Sequence, residues 1–255
     1  MCTLAIYFQV SKEFPLVIAA NRDEFLDRPA LPPRVLADDP CIVGGQDIQA
    51  GGTWLGVNSH HVVAGLLNRR SSQALDSRRR SRGLLCMEAL RARTPAAAAQ
   101  EICSGPGTAY NPFNLLLASP DQACVVGNFT GHMLRTTLTP GLHLLTNLEL
   151  NDTECPRIAK SVGFFEAAAP LLNPKQLPEF LGAMKTVLSD HSTPLDPRSQ
   201  GPPNNLCVHL DGYGTRSSTV IVYSAAEARM RMWFANGPPC RTDYAEVVLD
   251  NPSAP

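Results

Sequence analysis

Cys2 follows the initiator methionine directly and precedes an apolar stretch, "TLAIYF". If Met1 is removed, this residue carries both a thiol and an α-amino group, which lie a few ångströms apart. A thiolate is a strong nucleophile, and an α-amine with a reference pKa of about 7.7–8.0 can accept the thiol proton near neutral pH. Cys2 is therefore a candidate N-terminal nucleophile. The alternative is chance, since the chain holds 8 cysteines among 255 residues.

A group of charged side chains follows the second apolar stretch, in "LVIAANRDEFLDRP". If residues 3–9 and 15–20 pair as an antiparallel hairpin, the end of the second strand lies beside the start of the first. The hairpin then places Asp23 near Cys2, where its carboxylate can orient the α-amino group. The alternative is a solvated turn stabilised by pairs between arginines and carboxylates.

Three further side chains are candidates for contacts with a substrate. Asn147 ends the strand-like segment "LHLLTN", where its amide can stabilise an oxyanion or cap a turn. Asn68 follows "VVAGLL" and is a similar candidate. Arg216 lies in "GYGTRSST", which its two glycines predict to be a flexible turn. Its guanidinium can bind a carboxylate or phosphate of a ligand, or pair with Asp23 or Glu24.

A basic stretch runs from residue 68 to residue 83. Its arginines are Arg69, Arg70, Arg78, Arg79, Arg80 and Arg82. Such a stretch can bind an anionic ligand or form a solvated loop. The 6 histidines and 8 cysteines show no spacing typical of zinc ligands or of a disulfide framework, so we predict no metal site.

Composition predicts a soluble protein. A hydrophobic content of 44% and a charged content of 18% suit one globular domain, which we place over residues 1–255. The net charge of -1 gives no general attraction to nucleic acid or to anionic membranes. No apolar run approaches the roughly 20 residues that span a bilayer, and no secretory signal is evident at the N-terminus. We therefore expect a cytoplasmic protein without stable membrane insertion.

Strand-like and helical segments come in blocks along the chain. Strands are predicted at 3–9, 15–20, 51–58, 60–67, 113–118, 123–129, 132–138, 142–147, 206–210, 218–225 and 228–235. Helices are predicted at 83–93, 95–103, 156–169 and 175–189. An exposed proline-rich loop is expected near 189–205 and a surface tail at 236–255. Such blocks favour an α+β fold over alternating βαβ units. We predict a four-layer αββα sandwich, in which two antiparallel sheets face each other and helices cover both.

Several blocks together resemble the NRDE family. They are "MCT", "AANRDEFLDRP", "GGTWLGVN", "YNPFNLLL", "LLTN" and "GYGTRSSTV", in family order, and they reach from residue 2 to about 223. The resemblance implies a fold like that of the N-terminal nucleophile hydrolases. More distantly, the chain resembles cysteine amidohydrolases of the bile-salt hydrolase and penicillin V acylase type, which also begin Met-Cys and carry "LTN". That resemblance implies Cys2 as nucleophile and Asn147 close to the oxyanion.

The chain departs from the amidohydrolase pattern at one position. The first hairpin of those enzymes ends in Arg-Asn-x-Asp, and matching its Asn and Asp to Asn21 and Asp23 leaves Ala20 in place of the arginine. Arg22 is one step off in register, which predicts that it points to the opposite face of the strand. Asn21 and Arg22 are accordingly expected in ligand binding, with Asn68 and Arg216.

Two functions follow as expectations. The first is a cysteine amidohydrolase that cleaves a C–N amide bond once Met1 is removed, with Cys2, Asp23 and Asn147 as its catalytic residues. The second, implied by the family, is non-enzymatic binding and trafficking of haem or of an acyl-lipid or acyl-CoA ligand, for which the arginines of 69–82 would form a rim. Neither requires a cofactor, although haem is a candidate ligand of the second. Both imply a small amphipathic or hydrophobic anionic partner.

Overall fold

The computed structural model describes residues 2–71, 74–129, 131–192 and 205–249. These residues form two compact units. The first contains residues 2–28 and 140–247, and the second contains 29–139 with 248 and 249. The first unit is therefore assembled from two distant parts of the chain, with the second unit inserted between them.

Fourteen strands and four α-helices are described. The strands are β1 (Thr3–Phe8), β2 (Leu16–Phe25), β3 (Ala30–Asp38), β4 (Cys41–Asp47), β5 (Leu55–Asn58), β6 (Val63–Asn68), β7 (Phe113–Ala118), β8 (Ala123–Gly127), β9 (Leu134–Thr137), β10 (Gly141–Leu145), β11 (His209–Leu210), β12 (Tyr213–Ser224), β13 (Arg229–Ala235) and β14 (Ala245–Val247). The helices are α1 (Arg82–Ala89), α2 (Pro95–Ser104), α3 (Pro156–Ala168) and α4 (Leu177–Leu188).

The first unit is an antiparallel sheet with α3 and α4 against one face. Its strand order is β10-β1-β2-β12-β13-β14, and β11 pairs with the start of β12. Alternate residues of β1 and β2 face the helices, as the two-residue period of a strand requires. Tyr7 is one of them: it is fully buried, and its hydroxyl donates to the Phe165 carbonyl oxygen of α3 at 2.8 Å. The helices are thereby fixed on the sheet that carries the start of the chain.

The second unit is a meander of seven antiparallel strands in the order β3 to β9. Helices α1 and α2 pack on it over a core that includes Leu115, Leu117 and Cys86. Both helices begin at a side-chain cap. The Thr94 hydroxyl accepts from the Ala97 N–H at 3.1 Å, and Pro95 occupies the first helical position, where its missing N–H costs nothing.

The α+β class and the two antiparallel sheets are confirmed, but some segments were predicted wrongly. Strands β3 and β4 were missed because their prolines and paired glycines are typical of turns. Pro32 and Pro33 are tolerated because β3 is an edge strand, where one row of N–H groups has no ladder partner. "GYGTR" was predicted as a flexible turn, but only Gly212 lies in a turn and Tyr213 to Arg216 form the start of β12.

Two predicted irregular segments fall partly outside the described residues. Of the loop predicted near 189–205, residues 193–204 lie outside them, and so do residues 250–255 of the tail. The described part of the tail contains β14, which pairs with β13. Within the described chain, none of the helices has the length and apolar character needed to cross a bilayer.

Candidate active site

Three neighbouring strands bring Cys2, Asp23 and Asn147 together in the first unit. Thr3 pairs with Asn21 across β1 and β2, so the start of the chain lies beside the end of β2. The Cys2 Sγ is 3.8 Å from the backbone carbonyl oxygen of Asp23. On the other side of β1, strand β10 delivers Asn147, whose Oδ1 accepts from the Cys2 N–H at 3.0 Å.

The backbone nitrogen of Cys2 occupies the position that the α-amino nitrogen would take after removal of Met1. In the full sequence Met1 precedes it, so it is a peptide nitrogen. After removal of Met1 the same atom becomes the α-amino nitrogen, held by the amide of Asn147. The thiol beside it is half-buried, and burial raises its pKa above the ordinary value.

The carboxylate of Asp23 is held from two sides. Thr215 on β12 lies directly opposite in the ladder, and its hydroxyl donates to Asp23 Oδ1 at 2.6 Å. A guanidinium nitrogen of Arg157 lies 3.6 Å from Oδ2. Burial raises the pKa of Asp23, while the Arg157 charge and the Thr215 hydrogen bond act in the opposite direction. The buried acid is thus given a cation and a donor that favour its ionised form.

Arg157 is the residue of this site that sequence reasoning missed. It is only 1% exposed, and besides Asp23 it contacts Thr3, donating to the Thr3 hydroxyl at 2.7 Å. It lies in the first turn of α3, directly after Pro156. A cation in that turn opposes the helix dipole, and this is the signal the sequence offered for it.

The predicted orientation of Arg22 was wrong. Ala20 and Arg22 are two residues apart in β2, so they share one face of the strand, and Asn21 and Asp23 share the other. Arg22 is buried, and one of its guanidinium nitrogens lies 3.8 Å from a carboxylate oxygen of Glu24. Its charge lowers the pKa of the Cys2 thiol, against the larger effect of burial. A cation therefore does act on the Cys2 thiol, and it lies on the face on which the amidohydrolase pattern carries its arginine.

Two residues of β12 also border the site. The Tyr213 hydroxyl donates to the Asp23 carbonyl oxygen at 3.3 Å, the same oxygen that faces the Cys2 thiol. At Arg216 the strand shifts register, which sets Ser217 opposite Arg22. Ser217 is buried, and no hydrogen-bond partner of its Oγ is found among the described residues.

The remaining predicted ligand-binding residues lie in other surroundings. Asn21 donates from Nδ2 to the carbonyl oxygens of Leu188 and Leu206, both at 2.8 Å, so its amide joins the end of α4 to the segment before β11. Arg216 donates to the backbone carbonyl oxygen of Leu26. Asn68 belongs to the second unit, where it is exposed at the end of β6.

Five of the six arginines of 69–82 contact described groups of their own unit. The described contacts are Arg69 to Asn114 Oδ1, Arg78 to Asp76, Arg79 to the Tyr110 carbonyl oxygen, Arg80 to Glu88 and Arg82 to the Pro112 carbonyl oxygen. These contacts tie the stretch to neighbouring strands and to α1. A rim for haem or an acyl ligand at this stretch stays a prediction.

A family model described as "Transport and Golgi organisation 2" matches residues 1–233. The human "Transport and Golgi organization protein 2 homolog" is 30% identical over 249 residues, covering 88% of this chain and 89% of the human protein. The mouse homolog is 30% identical over 250 residues, with the same two shares.

Solved structures with the same fold include three hydrolases of low sequence identity. Penicillin V acylase from Agrobacterium tumefaciens has a TM-score of 0.61 at 15% identity, covering 92% of this chain and 83% of the acylase. The Caenorhabditis elegans ortholog of N-acylethanolamine-hydrolyzing acid amidase has a TM-score of 0.57 at 14% identity, covering 91% and 99%. A variant of conjugated bile acid hydrolase from Clostridium perfringens has a TM-score of 0.54 at 11% identity, covering 96% and 92%. These likenesses confirm the predicted fold of the N-terminal nucleophile hydrolases.

Proposed function

We propose an activity for this chain from the premise that it belongs to the Transport and Golgi organisation 2 family, whose NRDE-type blocks run through its sequence. The activity is that of a cysteine N-terminal nucleophile amidohydrolase, which cleaves a C–N amide bond of a non-peptide substrate. The observation that carries the proposal is the setting of Cys2, with Sγ 3.8 Å from the Asp23 carbonyl oxygen and its nitrogen 3.0 Å from Asn147 Oδ1. Three proteins of the same fold are named as an acylase, an ortholog of an acid amidase and a bile acid hydrolase.

The first step begins after Met1 is removed. Because burial raises the pKa of the Cys2 thiol, the thiol is protonated at neutral pH and needs a base. Its own α-amine takes the proton while Sγ forms a bond to the carbonyl carbon of the substrate. The electron pair of the C=O bond moves to the oxygen and creates the oxyanion.

Asn147 stabilises that oxyanion. With Oδ1 accepting from the Cys2 nitrogen, the amide is oriented so that its Nδ2 donor points away from that nitrogen. In the proposed complex Nδ2 donates to the oxygen of the substrate. A donor preorganised in this way contributes about 3–4 kcal/mol to stabilising the transition state.

The intermediate then collapses. The C–N bond breaks, the leaving amine takes the proton from the Cys2 ammonium group, and a thioester remains on Sγ. Water attacks the thioester with the α-amine again as base, the acid is released and the thiol is restored. Asp23 and Arg157 are positioning residues in this scheme, because they contact the strands that hold Cys2 and not the reacting bond.

The experiment combines intact mass with turnover of the full chain. Penicillin V, an N-acylethanolamine and a conjugated bile acid serve as probe amides, and release of the amine or acid is followed by mass spectrometry. We expect a mass without Met1 and turnover of at least one probe, which falls to background in Cys2→Ala. Cys103→Ser, which changes a half-buried thiol of the second unit, is the matched control and keeps full turnover.

Two results would count against the activity. One is a purified chain that retains Met1, since Cys2 then has no free amine. The other is turnover in Cys2→Ala equal to that of the unchanged chain.

A further inference from the structure

Two cysteines and two histidines converge in the first unit. His191 follows α4, Cys207 precedes β11, His209 lies in β11, and Cys240 lies between β13 and β14. One ligand atom of each lies within 4.8 Å of the ligand atoms of the other three. The four side chains thus form a single cluster, which we call the cysteine–histidine cluster.

Two of three distances between ligand atoms of the cluster match the edges of a tetrahedron around zinc, and the third is shorter. Zn–S bonds of about 2.3 Å and Zn–N bonds of about 2.0–2.1 Å predict roughly 3.8 Å between two sulfurs and roughly 3.6 Å between a sulfur and a nitrogen. The Cys207 Sγ lies 3.7 Å from the Cys240 Sγ. The His209 Nε2 lies 3.7 Å from the Cys207 Sγ and 3.2 Å from the Cys240 Sγ.

The sulfur pair is not a disulfide. A disulfide bond is about 2.0 Å long, whereas the two sulfurs are 3.7 Å apart and both thiols are free. Two sulfurs near the edge length of a zinc tetrahedron, with an imidazole nitrogen close to both, have the arrangement that ligands of one shared ion would have.

His191 has the hydrogen bond that a metal-binding histidine needs. Its Nδ1 lies 3.0 Å from the backbone carbonyl oxygen of Cys207. Donation from Nδ1–H to that oxygen leaves the lone pair on Nε2, which fixes the tautomer that can bind a metal. The ring centroids of His191 and His209 lie 5.0 Å apart, so both imidazoles face the same space.

We propose that the cysteine–histidine cluster binds one Zn²⁺ ion as a structural site. Thiolate and imidazole ligands together suit zinc, and four protein ligands complete its tetrahedron, so no position is left for water or substrate. The sequence predicted no metal site because only Cys207 and His209 are close along the chain, and the fold brings His191 and Cys240 to them.

The site stabilises the segment behind Asp23. Leu206 accepts the hydrogen bond from Asn21, and the Val208 N–H donates to the Thr215 hydroxyl at 2.9 Å. The same hydroxyl donates to Asp23. An ion bound by Cys207 and His209 therefore fixes the backbone on which these contacts depend.

The test measures metal content, which needs no substrate and no turnover. The full chain, purified without a histidine tag and with its thiols reduced, should carry about one zinc per chain by elemental mass spectrometry. Replacement by Co²⁺ should give the visible bands of tetrahedral cobalt and a charge-transfer band from thiolate to cobalt. His209→Ala, at an exposed position, and Cys240→Ser should each weaken zinc affinity by more than about 100-fold, since loss of an outer-shell partner alone costs about 10–100-fold.

The matched controls are His132→Ala and Cys103→Ser, which remove the same residue types outside the cluster and should leave the affinity unchanged. The proposal is overturned if the reduced chain binds zinc no more tightly than His209→Ala does. A disulfide between Cys207 and Cys240 in the freshly purified chain, found by non-reducing peptide mapping, would also overturn it. The cobalt spectrum of the unchanged chain decides the matter even if Cys240→Ser fails to fold.

Discussion

At the scale of single residues, the thiol of Cys2 is controlled by opposing effects. Burial raises its pKa most strongly, and the Asp23 carboxylate adds to the rise. The Arg22 guanidinium lowers the same pKa, because a nearby positive charge favours the thiolate. The net direction is upward, so the thiol stays protonated at neutral pH and depends on a base.

This balance predicts how alkylation of Cys2 varies with pH. In the unchanged chain the rate of reaction with iodoacetamide should rise through an apparent pKa above the ordinary thiol value of 9.0. In Arg22→Gln the cation is lost, so the apparent pKa should rise further and the rate at any given pH should fall. Peptide mass spectrometry after timed labelling follows Cys2 separately from the other thiols.

Arg28→Gln is the control for that experiment, since Arg28 also lies 3.8 Å from the same oxygen of Glu24. It should leave the profile of Cys2 nearly unchanged, because Arg28 is not among the charges that shift this thiol. A plateau below pH 9, or a downward shift in Arg22→Gln, would contradict the assignment.

At the scale of elements, α3 contributes a charge to the sheet it covers. Arg157 and Asp23 form an ion pair at 3.6 Å with side chains 1% and 0% exposed. Removing one member of a buried pair leaves the other charge in a medium that solvates it poorly, whereas removing both is often nearly neutral. The contact between helix and sheet is therefore sensitive to single substitutions.

We expect Arg157→Met to lower the free energy of unfolding by about 3–5 kcal/mol. Most of the loss should return in the double variant Arg157→Met, Asp23→Asn, in which no carboxylate is left uncompensated. The midpoints and slopes of urea denaturation curves measure both effects. As a control, Arg229→Met removes an exposed pair with Glu227 and should cost at most about 1 kcal/mol. A loss of that small size in Arg157→Met would refute the role of the buried pair.

In each of the two units, the side-chain amide of an asparagine stabilises the end of a helix. Asn58 at the end of β5 donates from Nδ2 to the carbonyl oxygens of Leu90 and Ala92, at 2.7 and 2.8 Å. Asn21 does the same for Leu188 and Leu206. The last carbonyls of a helix lack partners within the helix, and these amides supply them. Asn21 was expected to bind ligand, but its amide nitrogen is engaged in this structural contact.

At the scale of the whole molecule, the 8 cysteines divide by exposure. Cys2, Cys103 and Cys240 are half-buried, and the other five are buried. Burial raises the thiol pKa of Cys2 and Cys103 as well as of Cys41, Cys86 and Cys124, so access of the reagent, not pKa, separates the two groups. Reactivity in the native state should therefore be confined to a small subset.

Native alkylation should label Cys2 and Cys103 first, and Cys240 only after a chelator removes the proposed zinc. In denaturant all eight thiols should react. Quantitative peptide mapping over time gives the individual rates. Native labelling of Cys86 or Cys124 as fast as Cys103 would contradict the described core, and labelling of Cys240 that ignores the chelator would contradict the zinc site.

The sequence by itself determined the strands that meet at Cys2 and the fold class. Apolar runs predicted most strands, and an antiparallel hairpin of residues 3–9 and 15–20 places the end of its second strand, and with it Asp23, near the chain start. The prediction of strands from the sequence failed at β3 and β4, because their prolines and glycines are typical of turns.

Only the tertiary structure decided which distant side chains complete the sites. Thr3 and Arg157 are 154 residues apart, and their contact depends on how α3 docks on the sheet. The cysteine–histidine cluster likewise takes its proposed ligands from three separate segments. The spacing of apolar residues along the chain predicts strands and helices, because their periodicity extends over only a few residues. The convergence of side chains across elements is set by packing of the whole unit, and this has no local signature.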